Sequence, residues 1–280
     1  MERSVKRRAS GARDSWELWR DDTYRRLAAS TELPDGTRRV YCYHVRKTAG
    51  TSLHLSFMAL GGEDPVEVLD RMTASRLHRT TSGPYGFVAY HRRVLAEGAY
   101  FYGRSHHAAE ELALPPDTHT VTVLRDPVRR VHSYFDYLVA GDSHDMPGPV
   151  AMRERRPALV GFDAFLDRIP PDFLLSQLTM FSQRRDVSEA ADRISACSSV
   201  FFTENFGAGL AALGERLQLP LEVQRARVTD RRSSLTDAQS ARLAARLEPE
   251  YELLRRLAAG GIAPDATGYT VGQEPRQDPH

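Results

Sequence analysis

The chain has 280 residues, 41% of them hydrophobic, and its 38 basic and 37 acidic side chains give a net charge of +1. That is enough apolar material for one sizeable core, and it leaves no global field to attract nucleic acid or a membrane surface, so any anion site must be local. No secretory h-region and no apolar run near the roughly 18 residues of a membrane span is present, which predicts a cytoplasmic protein without membrane or nucleic-acid partners.

Residues 1–36 read as an extension carrying a peripheral helix. Asp14-Ser15-Trp16-Glu17 has the form of a capping box, and Trp16, Trp19, Thr23 and Leu27 recur at helical spacing. Pro34-Asp35-Gly36 signals a turn, after which Val40 to Val45 predicts the first strand. The segment beyond it carries Leu53, Phe57 and Leu60 on one helical side and stops at Gly61-Gly62; a further helix is expected over Val66 to Leu77. Ser82 to Gly86 reads as a loop, and Phe87–Tyr90 and Ala99–Gly103 are each candidate strands. Thr118 to Leu124 alternates and is rich in β-branched residues, so a strand is expected there. Asp126-Pro127 pairs a good N-cap with a good first helical residue, starting a helix whose apolar face is Val128, Val131, His132, Phe135, Leu138 and Val139.

Gly141 to Pro149 is irregular in pattern, and Met152 to Pro171 joins a charged piece to an apolar-periodic one. Phe173–Phe181, Phe206–Leu217 and Leu235–Leu257 read as helical, with Ser199–Thr203 a short strand. The core domain is therefore expected over 37–262, with 263–280 a flexible tail. Strands alternating with helices predict an α/β domain on a mainly parallel sheet, where ligands bind beyond the carboxyl ends of strands. The two cysteines, Cys42 and Cys197, sit in apolar segments without metal-ligand spacing and read as buried free thiols; no metal site is expected.

The chemistry centres on Tyr41 to Leu53. An apolar strand runs through Arg46, Lys47, Thr48, Ala49, Gly50, Thr51 and Ser52 into a helix, the arrangement in which free backbone N–H groups and a partial positive charge receive a phosphate. Lys47 is one of only two lysines, the other being Lys6, in a chain whose basic residues are otherwise arginine. Because it precedes the glycine, the spacing does not fit the P-loop NTPase pattern. A second clamp is predicted at Arg125, at the end of the later strand, with Ser133 on the exposed side of the helix that follows.

Tyr43-His44-Val45-Arg46-Lys47-Thr48-Ala49-Gly50-Thr51-Ser52-Leu53 resembles the 5'-phosphosulfate-binding loop of the carbohydrate sulfotransferase family that includes heparan sulfate 2-O-sulfotransferases, with Arg46 where that family has proline. Val123-Leu124-Arg125-Asp126-Pro127-Val128-Arg129-Arg130-Val131-His132-Ser133-Tyr134 resembles its 3'-phosphate segment, and a weaker similarity runs through Phe202 to Phe206 and the Leu235–Leu257 region. The resemblance implies a P-loop-kinase-like three-layer fold and sulfuryl transfer from 3'-phosphoadenosine 5'-phosphosulfate (PAPS), leaving 3',5'-ADP, without a metal. It implies an acceptor hydroxyl or amine on a glycan or small molecule. Lys47 would stabilise the leaving phosphate.

In the family that these motifs resemble, a histidine just after a strand-ending glycine acts as the base; here Arg104-Ser105 stand between Gly103 and His106. His106 and His107 are both candidates, with Glu110 and Glu111 as carboxylate alternatives, and Arg104, Arg153, Arg155 and Arg156 as candidate contacts for an acidic acceptor. Arg231 and Arg232, in a polar loop, are candidates for closing over the cofactor. Competing readings are an ATP- and magnesium-dependent phosphotransferase, with Asp126 as the metal-holding carboxylate, and a nucleotide-binding module without catalysis.

Overall fold

A computed structural model of the chain describes residues 22–24, 26–27, 32–140, 148–224 and 233–262. The expected helix around Trp16 and Trp19, most of the irregular stretch after Gly141, Arg231 and Arg232, and the tail from 263 lie outside these residues. Six strands form one sheet: β1 (Arg39–Tyr43), β2 (Arg79–Ser82), β3 (Tyr85–Ala89), β4 (Tyr102–Ser105), β5 (Thr118–Leu124) and β6 (Ser199–Phe202), in the order β2-β3-β4-β1-β5-β6. Only the β2–β3 pair is antiparallel. The protein is thus α/β on a mainly parallel sheet.

The helices are α1 (Gly50–Met58), α2 (Pro65–Ala74), α3 (Arg92–Glu97), α4 (Pro127–Ala140), α5 (Gly148–Val160), α6 (Phe162–Arg168), α7 (Pro171–Leu174), α8 (Ser176–Thr179), α9 (Val187–Ser195), α10 (Phe206–Leu217), α11 (Asp237–Arg246) and α12 (Glu248–Ala259). The central strand β1 lies between β4 and β5, and Val40, Tyr41 and Cys42 are almost wholly inaccessible, as a parallel strand covered on both faces must be.

Alternation along the strands sorts the core into two large clusters and a smaller one around Tyr41, Val88 and Leu95. Val40, Cys42, Val121 and Val123 meet Leu53 and Phe57 of α1, Val68 and Met72 of α2, and Leu210 and Leu213 of α10. Leu124, Phe202 and Val45 meet the other side, built from α4 to α9 with α11 and α12. Burying a side chain such as Leu53 or Phe57 contributes about 1.5–3 kcal/mol. The helix after β1 and the helix after β5 therefore pack on opposite faces. The carboxyl ends of strands are the position where open α/β sheets bind ligands.

Local signals account for many boundaries. Asp126 caps α4 by accepting from Arg129 N at 2.8 Å, and Gly62 closes the helical run after α1 with φ of 81°. Other expectations are corrected. Ser82 to Gly86 is a hairpin rather than an open loop, because the polar β-branched run Arg79–Ser82 pairs with β3. Both candidate strands form, the second shifted to Tyr102–Ser105. Phe173–Phe181 is broken into α7 and α8 at Leu175, whose φ/ψ of −106° and 40° interrupt the helix. The Leu235–Leu257 region likewise breaks at Leu247. Pro149 falls within α5; α3 is too short to show a period, and sequence reading missed α9 although Val187, Ala190, Ala191 and Ile194 recur at helical spacing behind the Asp186 cap.

Candidate functional site

The loop between β1 and α1 is wound tightly. Lys47 and Ala49 both take left-handed backbone, with φ of 65° and 56°, and Thr48 Oγ1 donates to Val45 O at 2.9 Å. Non-glycine residues pay strain of about 1–3 kcal/mol in such conformations and tend to hold them at functional turns. The turn aims successive N–H groups into one concavity. The first helical bond is Leu53 N to Ala49 O at 3.2 Å, so the N–H groups of Gly50, Thr51 and Ser52 have no acceptor among the described residues. Gly50 is required for a different reason than ligand approach: a Cβ there would lie 2.1 Å from the His44 ring.

Lys47 extends to the α4 side, its Nζ 4.5 Å from the centre of the Tyr137 ring. Burial, and next the Arg125 charge, bring its pKa down to about 8, with Asp136 opposing them. Arg125 stands at the end of β5 and its Nη1 donates to the Lys47 carbonyl at 3.1 Å. The two predicted clamps are therefore neighbours. Ser133 is half-buried one turn before Tyr137, on the same side of α4.

Behind Arg125 lies a buried network that sequence reading did not find. The Gln177 side chain accepts from Arg125 N and donates to Arg125 O. Glu250 accepts from Gln177 N at 2.7 Å, from Gln177 Nε2 at 3.1 Å and from Arg130 at 3.1 Å. Glu250 and Gln177 are inaccessible to solvent and Arg130 nearly so; such a pair persists only with its lone pairs satisfied. A glutamine and a glutamate on separate helices carry no local signature.

On the other side of β1, three histidines gather. His44 stacks on His106 with centroids 4.4 Å apart. Its Nδ1 lies 3.2 Å from His54 Nε2, and His54 Nδ1 lies 2.6 Å from Tyr102 Oη. Burial holds His44 and His54 well below the ordinary imidazole pKa, and burial followed by the Arg46 charge brings His106 to about 3. Each is thus neutral at physiological pH. His106 Nδ1 donates to the His44 carbonyl at 2.6 Å. Because a carbonyl only accepts, the proton sits on Nδ1 and the lone pair on Nε2. His54 was missed by sequence reading; its only signal is a polar residue between Leu53 and Leu55.

His107 is differently placed. Its Nε2 donates to Tyr90 O at 2.8 Å, which leaves Nδ1 to accept from Arg92 Nε at 3.3 Å. Glu110 accepts from Gln183 N and Arg193, and Glu111 pairs with Arg92 and Gln183. Arg104 is buried beneath the histidines, with its guanidinium over the Tyr90 ring.

A cavity of about 410 Å³ adjoins this cluster, lined among others by His44, Arg46, His106, Phe173, Ser176 and Gln183. Arg46 lines it, its guanidinium carbon 4.7 Å from the Phe173 ring centre, and Phe173, Tyr134 and Tyr137 form one row of rings that both Arg46 and Lys47 touch. The arrangement thus offers an anion cradle, two cations at adjacent strand ends, and a neutral histidine beside a polar cavity.

Asp126 is committed to capping α4 and to Tyr251, 3.1 Å away. Among the described residues, no helix is long and apolar enough to cross a membrane. No protein-family model and no curated protein matches the chain.

Proposed function

We propose that the chain is a cytoplasmic, PAPS-dependent sulfotransferase of the P-loop-kinase-like kind, a bacterial relative of the carbohydrate sulfotransferases that its two motifs resemble, acting on a hydroxyl of a glycan or small molecule. One observation carries this reading. The uncapped N-terminus of α1, Lys47 and Arg125 converge at the carboxyl ends of neighbouring parallel strands, beside a cavity lined by a histidine whose Nε2 lone pair is free.

The residues fit the charge distribution of PAPS, which is anionic at both ends of an adenosine. The N–H groups of Gly50, Thr51 and Ser52 would hold the 5' end, and Arg125 with Ser133 the 3'-phosphate. When bound, the donor supplies a sulfuryl group whose S–O bond to phosphate breaks as a bond to the acceptor oxygen forms. His106 Nε2 takes the acceptor proton, a contribution of about 10²–10⁴ in rate. The Lys47 ammonium, held by the Tyr137 face, stabilises negative charge on the leaving phosphate oxygen. Lys47 is held against Tyr137 and Arg46 against Phe173.

Thermal stabilisation tests the reading. 3',5'-ADP without metal is expected to stabilise the protein, and ATP with magnesium is not. The reverse pattern would favour a phosphotransferase. Stabilisation by 3',5'-ADP with no transfer from PAPS to any hydroxylated acceptor would leave a binding module.

A further inference from the structure

Resting on that reading, we propose that His44 Nε2–H is a further contact for the sulfuryl end of the donor, and that Tyr102 and His54 are positioning residues that hold the proton on that nitrogen. Tyr102 and His54 lie outside both motifs.

A line of hydrogen bonds runs from the core to the cradle. Tyr102 Oη lies 2.6 Å from His54 Nδ1, and His54 Nε2 lies 3.2 Å from His44 Nδ1. His54 is inaccessible and Tyr102 nearly so, so their polar atoms must find partners within the line rather than in solvent. Packing fixes the rings: Tyr102 stacks on Phe57 with centroids 4.2 Å apart, and His44 stands edge-on to His54 at an interplanar angle of 87°.

The inner end sets the direction of every proton. Burial keeps the Tyr102 phenol protonated, and both imidazoles are neutral. A phenol O–H is a stronger acid than an imidazole N–H, and an imidazole nitrogen is a better acceptor than a phenol oxygen or the neighbouring Cys42 sulfur. Tyr102 therefore donates to His54 Nδ1. His54 then carries its proton on Nε2 and donates to His44 Nδ1, which leaves the His44 proton on Nε2.

That nitrogen stands at the cradle. The Cδ2–Nε2 edge of His44 lies 2.1 Å from where a Gly50 Cβ would be, against the first residue of α1. His44 is only 9% exposed, yet it lines the cavity, and its Nε2 has no partner among the described residues while keeping accessible surface. The stacked rings of His44 and His106 thus present one donor and one acceptor side by side. The donor suits a sulfuryl oxygen, and the lone pair of His106 suits the acceptor hydroxyl. A fixed N–H in a water-poor site stabilises charge on that oxygen without reorganising during transfer.

Imidazole 1H–15N correlation spectra read the protons directly. His44 and His54 are expected as Nε2–H tautomers and His106 as the Nδ1–H tautomer. Inorganic sulfate, which resembles the sulfuryl group, is expected to shift the His44 Nε2–H signal with 3',5'-ADP bound or without it. Tyr102→Phe should release the line, giving His44 a mixture of tautomers and lowering kcat about tenfold, and His44→Phe should lower kcat about 10²–10³-fold. The affinity for 3',5'-ADP should stay within about threefold in both, as expected for a contact to the transferred group. A wild-type His44 proton on Nδ1 overturns the proposal. So does a His44 signal that sulfate leaves unmoved, or a Tyr102→Phe variant with unchanged tautomers and kcat. The expected tautomers and sulfate shift in a protein that never binds 3',5'-ADP would retain the His44 donor and remove the sulfotransferase reading.

Discussion

Gln177 brackets Arg125 across its own peptide groups: its amide oxygen accepts the Arg125 N–H at 2.8 Å and its amide nitrogen donates to the Arg125 carbonyl at 3.0 Å. Glu250, buried behind it, fixes which end of the amide faces which group. The backbone of the second clamp is thus set by a side chain on α8 and, through it, by one on α12.

Replacing Gln177 with alanine should therefore loosen Arg125 without removing any charge. Affinity for 3',5'-ADP is expected to fall about tenfold, equivalent to ~1.4 kcal/mol. Unfolding stability should drop by ~1–3 kcal/mol as buried partners are orphaned. Calorimetric titration and urea unfolding read the two effects separately; unchanged nucleotide affinity would show that the clamp does not depend on this bracket.

Lys47 gives the reaction a basic limb. Its pKa of about 8 means that the ammonium is charged below that pH and lost above it. The value of kcat/KM for PAPS, which reports the free enzyme, is expected to fall about tenfold per unit above pH 8. Lys47→Arg should move that limb beyond the measurable range at reduced activity, and Lys47→Ala should cost about 10²–10³ in kcat. A profile flat to pH 9.5 in the wild type would remove Lys47 from the step.

The two neighbouring histidines should behave unequally. His106 has a free Nε2 beside the cavity, whereas both ring nitrogens of His107 are engaged by Tyr90 and Arg92. His106→Ala is expected to lower kcat about 10²–10⁴, and His107→Ala to act on stability with kcat changed by less than about threefold. Equal losses in kcat for both variants would contradict the assignment.

Acid should destabilise the fold early. His44, His54 and His106 are held neutral in the folded chain, with pKa values below the ordinary 6.5. Below pH 6.5 the unfolded chain therefore binds more protons than the folded one. This stability is fully present above 6.5 and lost as pH falls, by at most about 1.4 kcal/mol per unit for each histidine. Urea midpoints should fall steeply below pH 6. His54→Gln should reduce that slope, and an unchanged slope would mean that the cluster does not govern acid stability.

Much of this molecule was legible in its sequence because the signals are local. Alternation in Thr118–Leu124, the Asp126-Pro127 helix start and the extent of Phe206–Leu217 depend on residues within a turn of one another, and these elements form as expected. The order of strand, loop and helix from Tyr41 to Leu53 was legible for the same reason, whereas the left-handed backbone of Lys47 and Ala49 within that loop was not. Tertiary structure alone decided the rest. It set β1 between β4 and β5, and so made Lys47 and Arg125 neighbours. Through contacts between segments remote in the chain, it bound His107 to Tyr90 while leaving His106 Nε2 free, and brought Gln177 and Glu250 behind Arg125. It also turned Arg46 onto Phe173 and Lys47 onto Tyr137. Side-chain direction and hydrogen-bond partnership depend on what packs against an element, and neither periodicity nor capping carries that information.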